Sequence, residues 1–183
     1  MKKLISSFLF LIFVLNNGCD ESVAPTPINT SGETSITSKV VDNKTKGFSF
    51  QQGGLIDYPN SQNIMPDMML LVHINSENVI SGVFFSPPNN QPSFRLLAQI
   101  NDADSARNYF SELSELPDTT YNLLALPLKE NQIWAVKTHD EKYAKILIIN
   151  AEAYLDSTIH NSPTPYGEAL FRWKYQPNGS RLF

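Results

Sequence analysis

Short apolar runs alternate with polar connections along most of the chain, a spacing typical of β-strands. Phe48 and Phe50 alternate with polar neighbours, and residues 68–74 and 79–85 form two apolar runs separated by a polar tetrapeptide. These two runs predict a hairpin. A loop with three prolines follows, and residues 93–100 predict the next strand.

The most regular pattern lies in the C-terminal third. Residues 131–138 and 142–149 are apolar-rich runs joined by His-Asp-Glu at 139–141, which predicts a hairpin with a tight turn. Residues 169–175 place Ala, Phe, Trp and Tyr at alternate positions, so one face of the predicted strand is aromatic. After a Pro-Asn-Gly turn, residues 180–183 are expected to return as a last strand.

One segment breaks the alternation. Within residues 102–113, apolar side chains recur every three or four positions, at Ala103, Ala106, Phe110 and Leu113. This spacing predicts a short amphipathic helix that packs on the sheet, with Asp102 as its N-cap. The whole pattern therefore predicts a mainly β, antiparallel single domain over residues 47–183 with one short helix.

The N-terminus predicts a secretory signal peptide. Two lysines precede an apolar run over residues 4–15, and Gly18 and Cys19 follow a pair of asparagines. The run holds about a dozen residues, whereas a membrane-spanning helix needs roughly 20. Cys19 is the only cysteine of the chain, which excludes an internal disulfide.

A signal that ends on Gly-Cys resembles a bacterial lipoprotein signal, in which the cysteine becomes the first residue and carries the lipid. Asn16 stands where that pattern usually has leucine. The resemblance implies that residues 1–18 are removed and that lipidated Cys19 anchors the protein to a membrane. The alternative is an ordinary cleaved signal followed by an unmodified cysteine, which is a liability in an oxidising compartment.

The residues that follow this cysteine bear on location. An aspartate such as Asp20 resembles an inner-membrane retention signal of enteric bacteria, whereas acidic residues at 20 and 21 resemble part of a surface-export signal of Bacteroidota. Both alternatives place the protein in the bacterial cell envelope. We expect the outer membrane or cell surface rather than the inner membrane.

Residues 19–46 predict a flexible tether. Positions 20–46 contain no aromatic residue and are dominated by Ser, Thr, Pro and charged residues, which bury too little apolar surface to offset their ordering entropy. The signal holds two of the 14 basic residues and none of the 18 acidic ones, which leaves 12 against 18, a net charge of −6. A chain this acidic, without clustered Lys or Arg, is a poor partner for nucleic acid.

Candidate chemistry is sparse. His139 lies at the predicted hairpin tip and His160 in a loop rich in Ser, Thr and Pro; the two could meet in space, but no metal-binding spacing connects them. Met65, Met68 and Met69 cluster, and methionine serves either as a haem ligand or as adaptable core filling. No GxSxG, P-loop or GxGxxG motif occurs and the acidic residues are scattered, so a non-enzymatic protein without a metal site is predicted.

The C-terminal third also carries a family resemblance. Asp140 in the tight turn and the Lys-Tyr-x-Lys at 142–145, followed by an aromatic strand ending in Tyr-Gln-Pro and a Gly turn, resemble the C-terminal region of HmuY-like lipoproteins of Bacteroidota. Glu141 stands where that turn usually has Gly. The resemblance implies a secreted, lipid-anchored, β-rich protein. The founding members of that family capture haem.

Two functions stay open, and a third, an enzyme, would require a cluster of titratable side chains in a cleft that the sequence does not indicate. The resemblance implies a binding module for haem or another flat hydrophobic ligand, with His139, His160 or a methionine pointing into a concave aromatic pocket. The alternative is a structural or accessory subunit that binds another envelope protein through a flat or grooved surface patch.

Overall fold

The computed structural model describes residues 29–77 and 79–183. Within them the chain forms nine strands and one α-helix, which confirms the predicted mainly β fold with a short helix. The predicted signal peptide, Cys19 and the tether up to residue 28 lie outside the described residues. The elements in chain order are β1 (Ser31–Thr37), β2 (Thr45–Ser49), β3 (Gly54–Tyr58), β4 (Met68–Ile74), β5 (Ile80–Ser86), β6 (Phe94–Gln99), α1 (Ala103–Glu112), β7 (Gln132–Lys137), β8 (Tyr143–Asp156) and β9 (Thr164–Gln176).

The strands form two antiparallel sheets. The first sheet has the strand order β1-β9-β8-β7-β6, and the second has the order β3-β2-β4-β5. Alternate side chains of each strand point to one side of its sheet, and the inner sides of the two sheets share one buried cluster. The two sheets therefore stack face to face as a sandwich.

Aromatic side chains between the sheets hold them together. The Phe48 ring meets Phe171 and Trp173 of β9 edge to face, with ring centroids 5.2 Å apart in both cases. Phe50 stacks on Tyr175 at 5.8 Å. All five side chains are at most 2% exposed. Such ring pairs contribute about 0.5–1.5 kcal/mol each beyond their burial, and the predicted aromatic face of β9 is confirmed as its core-facing side.

The hairpin predicted around residues 139–141 is formed by β7 and β8. Thr138 N–H donates to the Lys142 carbonyl at 2.8 Å and closes the turn. Glu141 has a φ of 63°, in the left-handed region that favours glycine. The turn therefore keeps its left-handed geometry although the sequence places Glu at this position.

The hairpin of β8 and β9 is long, so residues at one end of it are far from residues at the other. Its ladder runs from Tyr143 to Asp156 of β8, and a register shift between Ile148 and Asn150 marks a bulge. A strand of 14 residues spans roughly 40 Å at about 3.3 Å per residue. Residues just before β8 and just after it therefore lie at opposite ends of the sheet.

Part of the predicted tether is a strand. Residues 31–37 form β1, which pairs along its whole length with β9 at the edge of the first sheet. Ile36 is 1% exposed, and Thr34 Oγ1 accepts a hydrogen bond from Trp173 Nε1 at 3.3 Å. The prediction of a flexible tether through residue 46 is therefore wrong for this segment. Because β9 satisfies its backbone, one buried apolar side chain suffices where composition predicted no structure.

The strand expected at residues 180–183 is also not formed. An isolated bridge joins Glu115 to Leu182, and Leu116 N–H donates to the Arg181 carbonyl at 2.9 Å. The C-terminal residues therefore pair with the segment that follows α1 rather than with either sheet.

The helix α1 covers the outer face of the five-stranded sheet. Asp102 is its N-cap as predicted, because its Oδ1 accepts from Ser105 N–H at 2.7 Å. Ala106 and Phe110 are buried against side chains of β7 and β8. The helix has 10 residues, and across the described ranges no helix is long and apolar enough to cross a membrane.

A buried lysine closes the C-terminal end of α1. Lys145 of β8 is 1% exposed, and its Nζ donates to the carbonyl oxygens of Phe110 and Leu113 at 2.5 and 2.6 Å. The ammonium also lies over the Phe183 ring, 5.4 Å from its centroid. Burial, together with the charge of Lys174, lowers the pKa of Lys145 to about 8. The last carbonyl groups of a helix have no partner within the helix, so this amine satisfies them.

Lys145→Met is expected to lower the free energy of unfolding by about 1–3 kcal/mol, because two buried carbonyl groups lose their donor. Lys174→Met is the matched control, since this exposed lysine pairs in register with Lys145 on the neighbouring strand. Its effect should stay within about 0.5 kcal/mol. Urea unfolding of both variants measures the difference, and a Lys145→Met protein as stable as wild type contradicts this role of the amine.

Candidate functional site

Asp67, His139 and Asp140 form the candidate site, a cluster of ionisable side chains where the two sheets meet. One donor atom of each residue lies within 4.8 Å of a donor atom of each of the others. Asp67 immediately precedes β4 of one sheet, whereas His139 and Asp140 lie in the turn between β7 and β8 of the other. Asp67 and His139 are 72 positions apart in the sequence. The cluster is therefore assembled only when both sheets have formed and packed.

Asp67 is a buried carboxylate with both oxygens bound. Its side chain is 2% exposed. Oδ2 accepts from Phe50 N–H at 2.8 Å, and Oδ1 accepts from His139 Nδ1 at 3.0 Å. Its own N–H donates to the Phe48 carbonyl at 2.9 Å. A buried carboxylate is costly unless it is paired, so these hydrogen bonds allow an acidic residue at the start of an apolar strand.

His139 is an exposed residue whose ring is partly covered, with 34% of its side chain exposed. Because an ionised carboxylate only accepts, the contact with Asp67 assigns a proton to Nδ1. The same hydrogen bond raises the pKa of His139, against the lowering effect of burial. Among the hydrogen bonds of the described residues, Nε2 takes part in none. In the neutral ring, Nε2 therefore carries the free lone pair.

Asp140 adds a second carboxylate. Its Oδ1 accepts from Thr138 Oγ1 at 2.5 Å, and its Oδ2 pairs with Lys142 Nζ at 2.7 Å. Burial alone would raise the pKa of Asp140, but the bonds from Lys142 and Thr138 outweigh it, so that the pKa is lowered. Burial raises the pKa of the Tyr175 phenol, and the charges of Asp140 and Asp67 raise it further. The site therefore has a negative electrostatic potential, and Lys142 is the lysine that forms an ion pair with it.

The two histidines that could have met are far apart. His139 precedes β8, and exposed His160 lies in the turn after it. The length of that strand, roughly 40 Å, separates them. Within one chain they cannot bind the same ion or the same haem iron.

The three methionines do not converge either. Met68 is fully buried in the core, whereas Met69, the next residue of β4, points to the opposite side of the sheet. Met65 is half-buried in the loop before the strand. None of the five predicted donors lines any of four cavities, of 230 to 430 Å³, in the described ranges.

Sequence reasoning does not predict that Asp67 and Asp140 meet at His139, because the three residues look unrelated along the chain. One signal is available: Asp67 interrupts the apolar run IMPDMMLL at 64–71, and a charged residue among side chains that become buried needs a partner. Spacing does not reveal that partner, because it comes from another hairpin 72 positions later.

A second surface feature lies on the outer side of the four-stranded sheet. We name it the apolar face, and it consists of Ile56, Met69, Leu71 and Phe84. Leu71 lies directly opposite Phe84 in the register and is 40% exposed, and the other three are half-buried. His73 borders the face, with its ring edge-on to Phe84 at 6.3 Å.

The apolar face follows from the sequence of β4. This strand reads MMLLVHI, so that both of its sides carry apolar residues. Such strands are typical of sheets that are covered on both sides. The core covers one side of β4, but in residues 29–77 and 79–183 no helix or strand packs extensively on the other side. Pro66, in the loop before β4, covers this side beside Gly47, and the part around Leu71 is apolar and exposed.

A comparison with known protein-family models finds no match for this chain, and a search of curated proteins finds none either. The resemblance to HmuY-like lipoproteins stays a prediction from the C-terminal pattern. Because one fold serves many activities, the cluster and the apolar face bear on function more directly than the fold does.

His139→Gln is expected to destabilise the protein more in acid than in alkali. The pKa of His139 is raised above its ordinary 6.5 in the folded state, so the charged pair with Asp67 stabilises fully below about pH 6.5 and is lost as the pH rises through the folded value. Glutamine keeps a neutral donor but carries no charge. The stability loss should be larger at about pH 5.5 than at about pH 9 by about 0.5–1 kcal/mol, because partial exposure screens the pair.

Urea unfolding of wild type and variant at both pH values measures this difference. His160→Gln is the control, since this exposed histidine lies at the other end of β8. A His139→Gln protein with the same loss of stability at both pH values would show that the pair with Asp67 does not titrate as expected.

Proposed function

We propose that this protein is a lipid-anchored, non-enzymatic accessory protein of the bacterial envelope that binds another protein through the apolar face. The observation that carries the proposal is that β4 is apolar on both sides and covered on only one. Contiguous exposed apolar surface on a folded domain commonly marks a site of protein association.

The shape of the apolar face suits a protein better than a small ligand. Its four side chains come from β3, β4 and β5 on one side of a single sheet rather than from the walls of a cleft. Because the sheet is rigid, these side chains lose little conformational freedom when a partner covers them. His73 Nδ1 and Ser81 Oγ, 2.5 Å apart, supply polar groups at the border. An apolar centre with a polar rim is the arrangement expected of a protein interface.

Cys19 is the proposed anchor. Since β1 begins at Ser31, the connection from the anchor to the domain is residues 20–30 and not the whole of 20–46. Fully extended, such a connection reaches at most roughly 40 Å. This short reach favours a partner that lies in or on the same membrane, and the outer membrane or cell surface is the proposed location.

Haem binding is the second candidate, and His139 favours it. A buried carboxylate that holds one ring nitrogen orients the imidazole and raises the basicity of the other, as is usual for histidines that bind metals. Here Asp67 holds Nδ1, so Nε2 is the nitrogen that would bind haem iron. Ligation at Nε2 leaves the contact with Asp67 intact.

Leu71→Asp and Cys19→Ala are expected to separate docking from anchoring. In cells given labelled palmitate, Leu71→Asp incorporates label and partitions with membranes as wild type does, whereas Cys19→Ala does neither. A photo-crosslinking residue at position 73, beside the apolar face, should identify the envelope partner. The purified partner should bind Leu71→Asp at least about tenfold more weakly, or about 1.4 kcal/mol, because the aspartate must be desolvated at the contact.

Leu155→Asp is the matched control for docking. Leu155 is 61% exposed near the far end of β8, and the substitution makes the same change of charge away from the apolar face. It should leave the affinity for the partner unchanged, as should Cys19→Ala in solution. Equal affinities of Leu71→Asp and wild type would overturn the docking proposal, and a labelled, membrane-bound Cys19→Ala protein would overturn the anchor.

A haemin titration followed by absorbance tests the second candidate. For a chain without residues 1–18 and with Cys19→Ala, a saturable, sharpened Soret band is expected that is lost in His139→Gln and kept in His160→Gln. A band that survives in His139→Gln would contradict ligation by His139 and direct attention to Met65. No change beyond that of an unrelated control protein would exclude haem.

A further inference from the structure

We propose that Asp67, His139 and Asp140 bind one divalent transition-metal ion, and that zinc suits their nitrogen and oxygen donors. The cluster lies between the two sheets, outside the apolar face, so its metal binding succeeds or fails independently of the proposed docking. It also differs from haem ligation, because the ion lies on the Nδ1 side of the ring and haem iron would bind Nε2.

The distance between the first two donor atoms fits a shared ion. His139 Nδ1 and Asp67 Oδ1 are 3.0 Å apart. Two ligand bonds of about 2.0–2.2 Å that meet at about 90–109° place their donor atoms about 2.8–3.6 Å apart. A metal ion that replaces the proton would lie roughly 1.5 Å to one side of the line that joins these atoms, so the imidazole must turn to direct Nδ1 at it.

The third donor atom is within reach. A carboxylate oxygen of Asp140 lies within 4.8 Å of the other two donors. Rotation of this short side chain brings the oxygen closer, and solvent can reach the site past half-exposed His139 to complete the coordination. The ion would then connect the start of β4 with the turn between β7 and β8, which belong to different sheets.

The chemistry of the donors selects the class of metal. One imidazole and two carboxylates suit zinc and its neighbours in the first transition row, whereas calcium and magnesium prefer oxygen ligands alone. The buried carboxylate of Asp67 is fixed by Phe50 N–H at 2.8 Å and cannot turn away to water. This fixed negative group is the part of the site that is already organised for a cation.

Lys142 competes with a metal ion for the carboxylate of Asp140. Its Nζ lies 2.7 Å from Asp140 Oδ2, and its positive charge opposes a second cation. Removal of this charge should therefore tighten metal binding, whereas removal of a donor should weaken it. The two opposite signs distinguish a specific site from general attraction to an acidic chain.

Calorimetric titration of the full-length protein in detergent micelles with zinc chloride tests the proposal. Wild type should bind one ion per chain with saturation. His139→Gln and Asp140→Asn should each bind at least about tenfold more weakly, and Lys142→Gln should bind more tightly. His160→Gln is the matched control and should bind as wild type does.

A second measurement needs no variant and therefore does not depend on their folding. Histidine side-chain NMR of wild type should show that zinc shifts the Nδ1 resonance of His139 and leaves His73 and His160 unchanged. The proposal is overturned by an absence of saturable binding, by equal affinity of His139→Gln and wild type, or by zinc-induced shifts confined to the other two histidines.

Discussion

The packing of Phe48 and Phe50 against the aromatic side of β9 is the constraint on which the rest of the structure depends. Phe50 has two roles, because its ring stacks on Tyr175 while its N–H donates to the buried carboxylate of Asp67. Asp67 in turn holds His139, which belongs to the opposite sheet. A one-residue slip of β2 would turn its core side chains outward and also leave Asp67 buried without its backbone donor. The apolar core and the polar cluster therefore specify the same register.

The elements whose evidence is local could be predicted from the sequence. The hairpin of β7 and β8, the aromatic side of β9 and the helix with its Asp102 cap each need only a few neighbouring residues to be recognised. β1 could not be predicted, because its polar sequence becomes a strand only through the backbone of β9, more than a hundred positions later. The contact between Asp67 and His139 could not be predicted either, because it depends on how the two sheets are placed relative to each other. The sequence leaves open whether His139 and His160 meet, because spacing along the chain does not reveal that the length of β8 separates them.

The outer sides of the two sheets differ in which residues they bury, and the polarity of the side chains alone would not predict this difference. On the five-stranded sheet a lysine, Lys145, is almost completely buried, because α1 covers it and offers two carbonyl groups to its ammonium. On the four-stranded sheet a leucine, Leu71, is 40% exposed, because no described element covers it. Lys145 is buried and Leu71 is exposed because α1 packs on the five-stranded sheet and not on the four-stranded one. The same reasoning that explains the buried lysine therefore identifies the open side of β4 as the surface that lacks a cover.

The cluster and the apolar face lie close together on β4, because Asp67 precedes Met69 by two residues. In the folded protein a proton on His139 Nδ1 now connects the sheets at this end of the strand, and that connection loses its charge as the pH rises through the folded pKa of His139. A metal ion between the same two atoms carries its charge irrespective of that proton, so it would maintain the connection where the protonated pair is lost.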